Sequence, residues 1–176
     1  MYQDYKDLLS AFHAHGVKYL IVGGYAVIFH AQPRFTKDLD LFIKPDPANA
    51  NATYAALAAF GAALQDISPD DFADCGSFFR FGRDPKGFDI LPNIPGVDFD
   101  AAWQRRVEAV LDGETGLKAH FISAEDLIAA KLAAGRPQDL ADVAAIREAD
   151  QQRAADRLAS DLGVKKNGKQ EPDPKI

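Results

Sequence analysis

The first apolar residues recur at helical spacing. Leu8, Leu9 and Phe12 lie on one stripe of Tyr5 to His15, which predicts an amphipathic helix stopped by Gly16. Tyr19-Leu20-Ile21-Val22 is a short run of β-formers and predicts a buried strand. Gly23-Gly24 breaks it, and Tyr25 to Phe29 reads as a short helix opening on the second glycine. Pro33 marks a loop. Leu39 to Ile43 is the next strand, ended by Pro45 and Pro47. Asn51 to Phe60 is alanine-rich and helical, with Gly61 after it. Ser68 to Gly76 is polar and reads as a loop. Phe78 to Arg83 and Phe88 to Leu91 read as paired strands joined through Asp84-Pro85-Lys86-Gly87, whose residue types suit a type I turn.

Further on, Asp100 is placed to cap a helix from Ala101 to about Leu111, and Leu117 to Ile122 reads as an edge strand. Ser123 caps another helix, with Asp126 near its donor end, running to about Ala134 before Gly135. Pro137 suits the first turn of a last helix through Ala149 and on toward Leu162. From Lys165 the chain is Lys, Gly, Pro and charge with no apolar residue before Ile176, a composition that predicts disorder. The order of elements predicts an α+β fold: a small mixed β-sheet flanked by helices, with a helical C-terminal portion. The expected division is a core over 1–122, a helical portion over 123–164 packed on it, and a tail over 165–176.

Composition narrows the class. A chain of 176 residues fits one domain with a modest core, or one domain with a helical appendage. No apolar run approaches a membrane span, and Met1 to Asp7 lacks the basic start and apolar stretch of a leader. Cys75 stands alone, and His13, His15, His30 and His120 show no ligand spacing, so a zinc site is not expected. These features lead to the expectation of a cytoplasmic protein without membrane attachment. The net charge of -6 argues against broad nonspecific nucleic-acid binding. Arg80, Arg83, Lys86, Arg105, Arg106 and Lys118 could form a local basic rim for RNA, or an ordinary solvated surface.

The chemistry concentrates in Val22-Gly23-Gly24-Tyr25 and Arg34-Phe35-Thr36-Lys37-Asp38-Leu39-Asp40-Leu41. A strand that ends in two glycines and turns at once into a helix lets backbone N–H groups approach a phosphate. A tight turn is the plainer reading of the same pair. Asp38 and Asp40, two apart on a strand, share one face about 6.5 Å apart along the chain. They could share or bridge divalent metal ions, or line a solvated strand edge. Asp89 stands in Phe88-Asp89-Ile90-Leu91, where an acid is disfavoured and needs a partner. A metal is one such partner; Arg80 or Arg83 is another. Arg34 and Thr36 feed the acidic strand and could touch phosphate oxygens, or Arg34 could neutralise the acids. Asp98-Phe99-Asp100 repeats the spacing, but capping accounts for Asp100.

These stretches together resemble the nucleotidyltransferase superfamily related to DNA polymerase beta, and within it the bacterial minimal transferases and AbiEii-type toxin transferases. The resemblance covers roughly Asp7 to Ile146. It implies a nucleotidyltransferase-like fold and transfer of a nucleoside monophosphate from a triphosphate such as ATP to a hydroxyl, with Mg2+. It implies that Gly23 and Gly24 grip phosphate, that Asp38 and Asp40 bind metal, and that Asp89 is the third carboxylate. Ser123 to Lys131, continuing through Arg136 and Asp139 to Asp142, resembles the C-terminal part of the toxin-like members. There Lys131 would be catalytic and contact triphosphate, with Asp139 or Asp142 positioning it; helix-end electrostatics explain Lys131 and Asp139 equally well. Many members carry Gly-Ser where this chain has Gly23-Gly24. The acceptor implied is a tRNA, a protein or a small molecule, and a toxin would have an antitoxin partner. The alternative is a non-catalytic module binding nucleotide or protein on the same fold.

Overall fold

The computed structural model describes residues 1–83 and 87–161. Of the turn expected over Asp84 to Gly87, residues 84–86 lie outside them, as does the tail. Six strands form one mixed sheet: β1 (Tyr19–Ile21), β2 (Leu39–Ile43), β3 (Phe79–Phe81), β4 (Phe88–Leu91), β5 (Val107–Asp112) and β6 (Leu117–Phe121), in the order β3-β4-β2-β1-β6-β5. The pairs β2–β4 and β1–β6 are parallel; β1–β2, β3–β4 and β5–β6 are antiparallel. The chain is therefore α+β with a mixed sheet.

Helices α1 (Gln3–Ala14) and α3 (Pro47–Phe60) pack on each other. Helices α2 (Gly23–His30), α5 (Ala124–Ala134) and α6 (Pro137–Asp161) form a second group. The apolar stripe of α1, namely Tyr5, Leu8, Leu9 and Phe12, is buried, and it joins Leu20, Ile21, Leu39, Leu41, Ile43 and Ile90 of the central strands in one core. Central strands read as continuous apolar runs because both their faces are covered.

β2 has the span the apolar run predicts, and α5 has its Ser123 cap and a left-handed Gly135 end. α3 begins earlier than its alanines suggest, because Asp46 accepts the Asn49 N–H and Pro47 starts the first turn. The loop over 68–76 contains a short 3-10 helix, Pro69–Ala73. The region after Pro95 needs a larger correction. Helix α4 covers only Phe99–Gln104 and is capped by Asp98, not Asp100, whose carboxylate pairs with Lys44 at 2.9 Å. The rest of the expected helix is strand β5. That strand is the sheet's edge, so β6, expected at the edge, is an interior strand between β1 and β5.

Candidate active site

Strand register brings the acids together. Asp40 and Asp89 are direct partners in the parallel β2–β4 ladder, so their side chains leave the same face of the sheet. Asp38, two residues before Asp40, shares that side. The ends of these strands are fixed from α1, where the buried Tyr5 hydroxyl lies 2.8 Å from Gly87 O and 3.0 Å from Lys37 O. Burial pushes that phenol's pKa up, so it stays protonated and donates to these carbonyls.

The glycine turn is pressed against the acids. Val22 N–H donates to Asp40 O at 3.0 Å, which aligns the end of β1 with the middle of β2. Gly23 has φ +57°, and a Cβ there would stand 1.8 Å from Asp40 Oδ2; one on Gly24 would stand 2.2 Å from Thr36 Oγ1. Both positions therefore exclude side chains for reasons of space. We expect Gly23→Ala to cost about 2–3 kcal/mol, from left-handed strain plus displacement of Asp40, measurable as a lowered midpoint of thermal unfolding. Unchanged stability would mean that Asp40 does not hold this place.

Asp40 carries uncompensated charge. Burial first, then the charges of Asp89 and Asp38, push its pKa up to about 6, against a hydrogen bond from Gly24 N–H and the pull of Lys131. Asp89 has a partner in Arg80, opposite it in β3. Arg80 Nε and Nη2 each donate at 2.8 Å to the two carboxylate oxygens, and Nη2 also reaches Asp38 Oδ2 at 3.5 Å. One of the partnerships the sequence leaves open for Asp89 is thus formed.

A second cluster joins α5, α6 and the segment before β2. Lys131 Nζ, buried, lies 3.0 Å from Asp139 and 2.7 Å from Asp142. Arg136 Nε donates to Asp139 at 2.6 Å, and Arg34 Nη2 donates to Asp142 at 3.1 Å. Burial alone would raise the Asp139 carboxyl, but the bonds from Arg136 and Lys131 hold it below the ordinary range.

Between the two clusters runs a cleft of about 320 Å³. Gly23, Asp40, Asp89, Lys131, Arg136 and Asp139 line it. Of the residues singled out from the sequence, Gly24, Arg34, Thr36, Asp38 and Asp142 are not part of this lining. Arg34 and Thr36 line a separate hollow of about 380 Å³ with Tyr25 and Phe35. A larger hollow of about 580 Å³ lies beside Tyr5, Phe60 and Arg80, away from Asp40 and Lys131.

Sequence reasoning gave Tyr5 no site role and weighed Arg80 only as a partner or rim. Arg136 entered only within the C-terminal stretch, although its side chain is 76% exposed and it feels the charge of Asp40. The signals were the register of β3 on β4 for Arg80, and the position of Arg136 in the link between two helices.

Three carboxylates with no soft ligand suit a hard divalent cation, and the unbalanced charge at Asp40 is what such an ion would relieve. The side-chain placement does not form a closed cage: among the described residues no group of three His, Cys, Asp or Glu is arranged to hold a metal. Arg80 occupies Asp89 and Asp38 instead. Its side chain is 61% exposed, so it can turn outward without unpacking the core.

Among the described residues no helix is long and apolar enough to cross a membrane. A comparison with curated proteins finds no match. Residues 3–152, which include every residue of the cleft, match the family described as nucleotidyltransferase of unknown function (DUF6036), and the chain belongs to that family.

Proposed function

We propose that the protein is a magnesium-dependent nucleotidyltransferase that moves a nucleoside monophosphate from a triphosphate onto a hydroxyl. The supporting observation is the pairing of Asp40 with Asp89 across β2–β4, beside a glycine turn and facing Lys131 and Arg136 over one cleft. Asp38, Asp40 and Asp89 would hold Mg2+ once Arg80 swings away. When bound, the ion supplies charge neutralisation to the phosphates and the departing pyrophosphate.

The protein's own groups account for the rest. The Gly23-Gly24 turn lets Asp40 and Thr36 pack against the backbone, with the Gly24 N–H given to Asp40, and the start of α2 would add its partial positive charge toward the phosphates. Lys131 and Arg136 present cations to the triphosphate from the opposite wall. Asp89 is the carboxylate placed to take the acceptor hydroxyl's proton. Arg80, displaced from Asp89 and Asp38, becomes a further cation for phosphate. Such sites work mainly by positioning and electrostatics.

The Arg80 clamp also favours a second reading, a module that binds nucleotide or a protein without turnover. One experiment separates them. The protein is incubated with each α-32P-labelled triphosphate, Mg2+, total RNA and protein extract from the source cells, and a panel of small hydroxyl compounds, beside Asp40→Ala. Label appearing in one acceptor class with the wild type only supports the transferase and identifies tRNA, protein or small molecule as the acceptor. Nucleotide binding by calorimetry without label transfer supports the module. If the acceptor is tRNA or protein, a toxin role follows for a chain encoded beside an antitoxin gene.

A further inference from the structure

The lining of the cleft is of two chemical kinds. Asp40, Asp89, Lys131 and Arg136 carry charge. Leu91, Ile94, Pro95, Leu127, Ala130 and Phe78 are apolar, and chain order carries several of them away from the acids toward one end: β4 runs on from Asp89 to Leu91 and then to Ile94 and Pro95, and Phe78 directly precedes Phe79, the partner of Ile90. Phe78 is 64% exposed and lines the cleft, so much of its ring is open to a ligand there. Asn93 lines the same end, and its carboxamide makes no hydrogen bond among the described residues. An apolar lining, an exposed aromatic ring and a free amide together suit a heterocycle with a polar edge. They do not suit a hydrocarbon chain, which has no use for the amide.

We propose that this end is the nucleobase subsite, with Phe78 as the platform on which the base stacks and Asn93 facing its edge. The proposal rests on the transferase reading, which puts the triphosphate at the charged end. The volume of about 320 Å³ lies at the lower end of the range for small-molecule sites. Phe35, more exposed at 78%, is not the platform, because it lines the other hollow with Tyr25 and Arg34. Phe78 buries little, so replacing it leaves the fold intact.

The test is calorimetry on the full chain with two kinds of ligand, each with Mg2+. One is the set of α,β-methylene analogues of ATP, GTP, CTP and UTP; the other is inorganic tripolyphosphate. Phe78→Ala is expected to weaken the best-bound analogue about tenfold or more, the scale of a lost base–aromatic stack, while tripolyphosphate stays within about twofold. Phe78→Trp is expected to keep nucleotide affinity and show quenched fluorescence on binding. The single native tryptophan, Trp103, is packed against Phe99 and His120 and supplies a constant background. Equal nucleotide affinity in Phe78→Ala and wild type overturns the subsite and leaves the transferase reading standing. So does equal wild-type affinity for nucleotide and tripolyphosphate. A wild type that binds neither ligand overturns both.

Discussion

Replacing Asp40 by Asn is expected to make the protein more stable and, by the proposed reading, to abolish its activity. A carboxyl whose midpoint is moved from 3.8 to about 6 forfeits at most about 3 kcal/mol at neutral pH, and solvent reaching its half-buried side chain brings the expected gain to about 1–2 kcal/mol. The sign follows from proton binding. Between about pH 4 and pH 6 the folded chain still holds a proton on Asp40 that the unfolded chain has released. Stability from this group is therefore full below about pH 4, falls as pH rises to about 6, and is level above. Asn carries no charge and shows no such fall. Urea unfolding in EDTA at several pH values should give a difference between variant and wild type that opens over this window and then stays constant. Added Mg2+ should stabilise the wild type at pH 7 and leave the variant unmoved. Transfer should drop by roughly 10²–10³-fold or more, the cost of losing one preorganised electrostatic group. If Asp40→Asn is no more stable than wild type in EDTA at pH 7, burial and the neighbouring acids do not raise the Asp40 carboxyl as their placement implies.

That placement of the acids was legible in the sequence because it depends on little more than strand geometry. Asp38, just before β2, and Asp40 within it are two residues apart on an extended segment, and an acid inside Phe88-Asp89-Ile90 needed a partner. Buried apolar runs likewise marked β1 and β2, and Gly, Pro and Ser marked the ends of α5. What failed was the region whose apolar residues are not buried. β5 is an edge strand in which Val110 is 60% exposed, and Val107-Glu108-Ala109-Val110-Leu111 alternates too weakly to distinguish from a helix. Only its pairing with β6 makes it a strand, and pairing between segments is invisible to a local pattern. The Arg80 clamp was hidden for a related reason. Sequence offered Arg80 and Arg83 equally, and the β3–β4 register decides between them by placing Arg80 directly across from Asp89. The sequence left metal and arginine both open as partners of Asp89, and the placed side chains show the arginine.

Lys131→Met is expected to cost about 3 kcal/mol, the largest stability loss among single changes at the site. The methionine fills the volume of the stem, so the penalty comes from charge. Asp139 and Asp142 are each 2% exposed and lose the ammonium that lies 3.0 and 2.7 Å away. Breaking a buried pair costs about 3–5 kcal/mol, and Arg136 and Arg34, which remain on Asp139 and Asp142, bring the figure to the low end. For a chain of this size that is a fall of roughly 10 °C in thermal midpoint. The loss alone would not tell a nucleotide contact from a structural ion pair, and the double variant Lys131→Met, Asp142→Asn does. Removing one of the two orphaned charges should recover a measurable part of the stability whichever role Lys131 has. An ammonium has three donors, and two are committed to the aspartates, which leaves one for a phosphate oxygen in the cleft. If that third donor is used, the double variant regains part of its stability but still binds magnesium tripolyphosphate about tenfold or more weakly than Asp142→Asn alone. If binding returns together with stability, Lys131 is a bolt between α5 and α6, and Arg136 is the cation that meets the triphosphate.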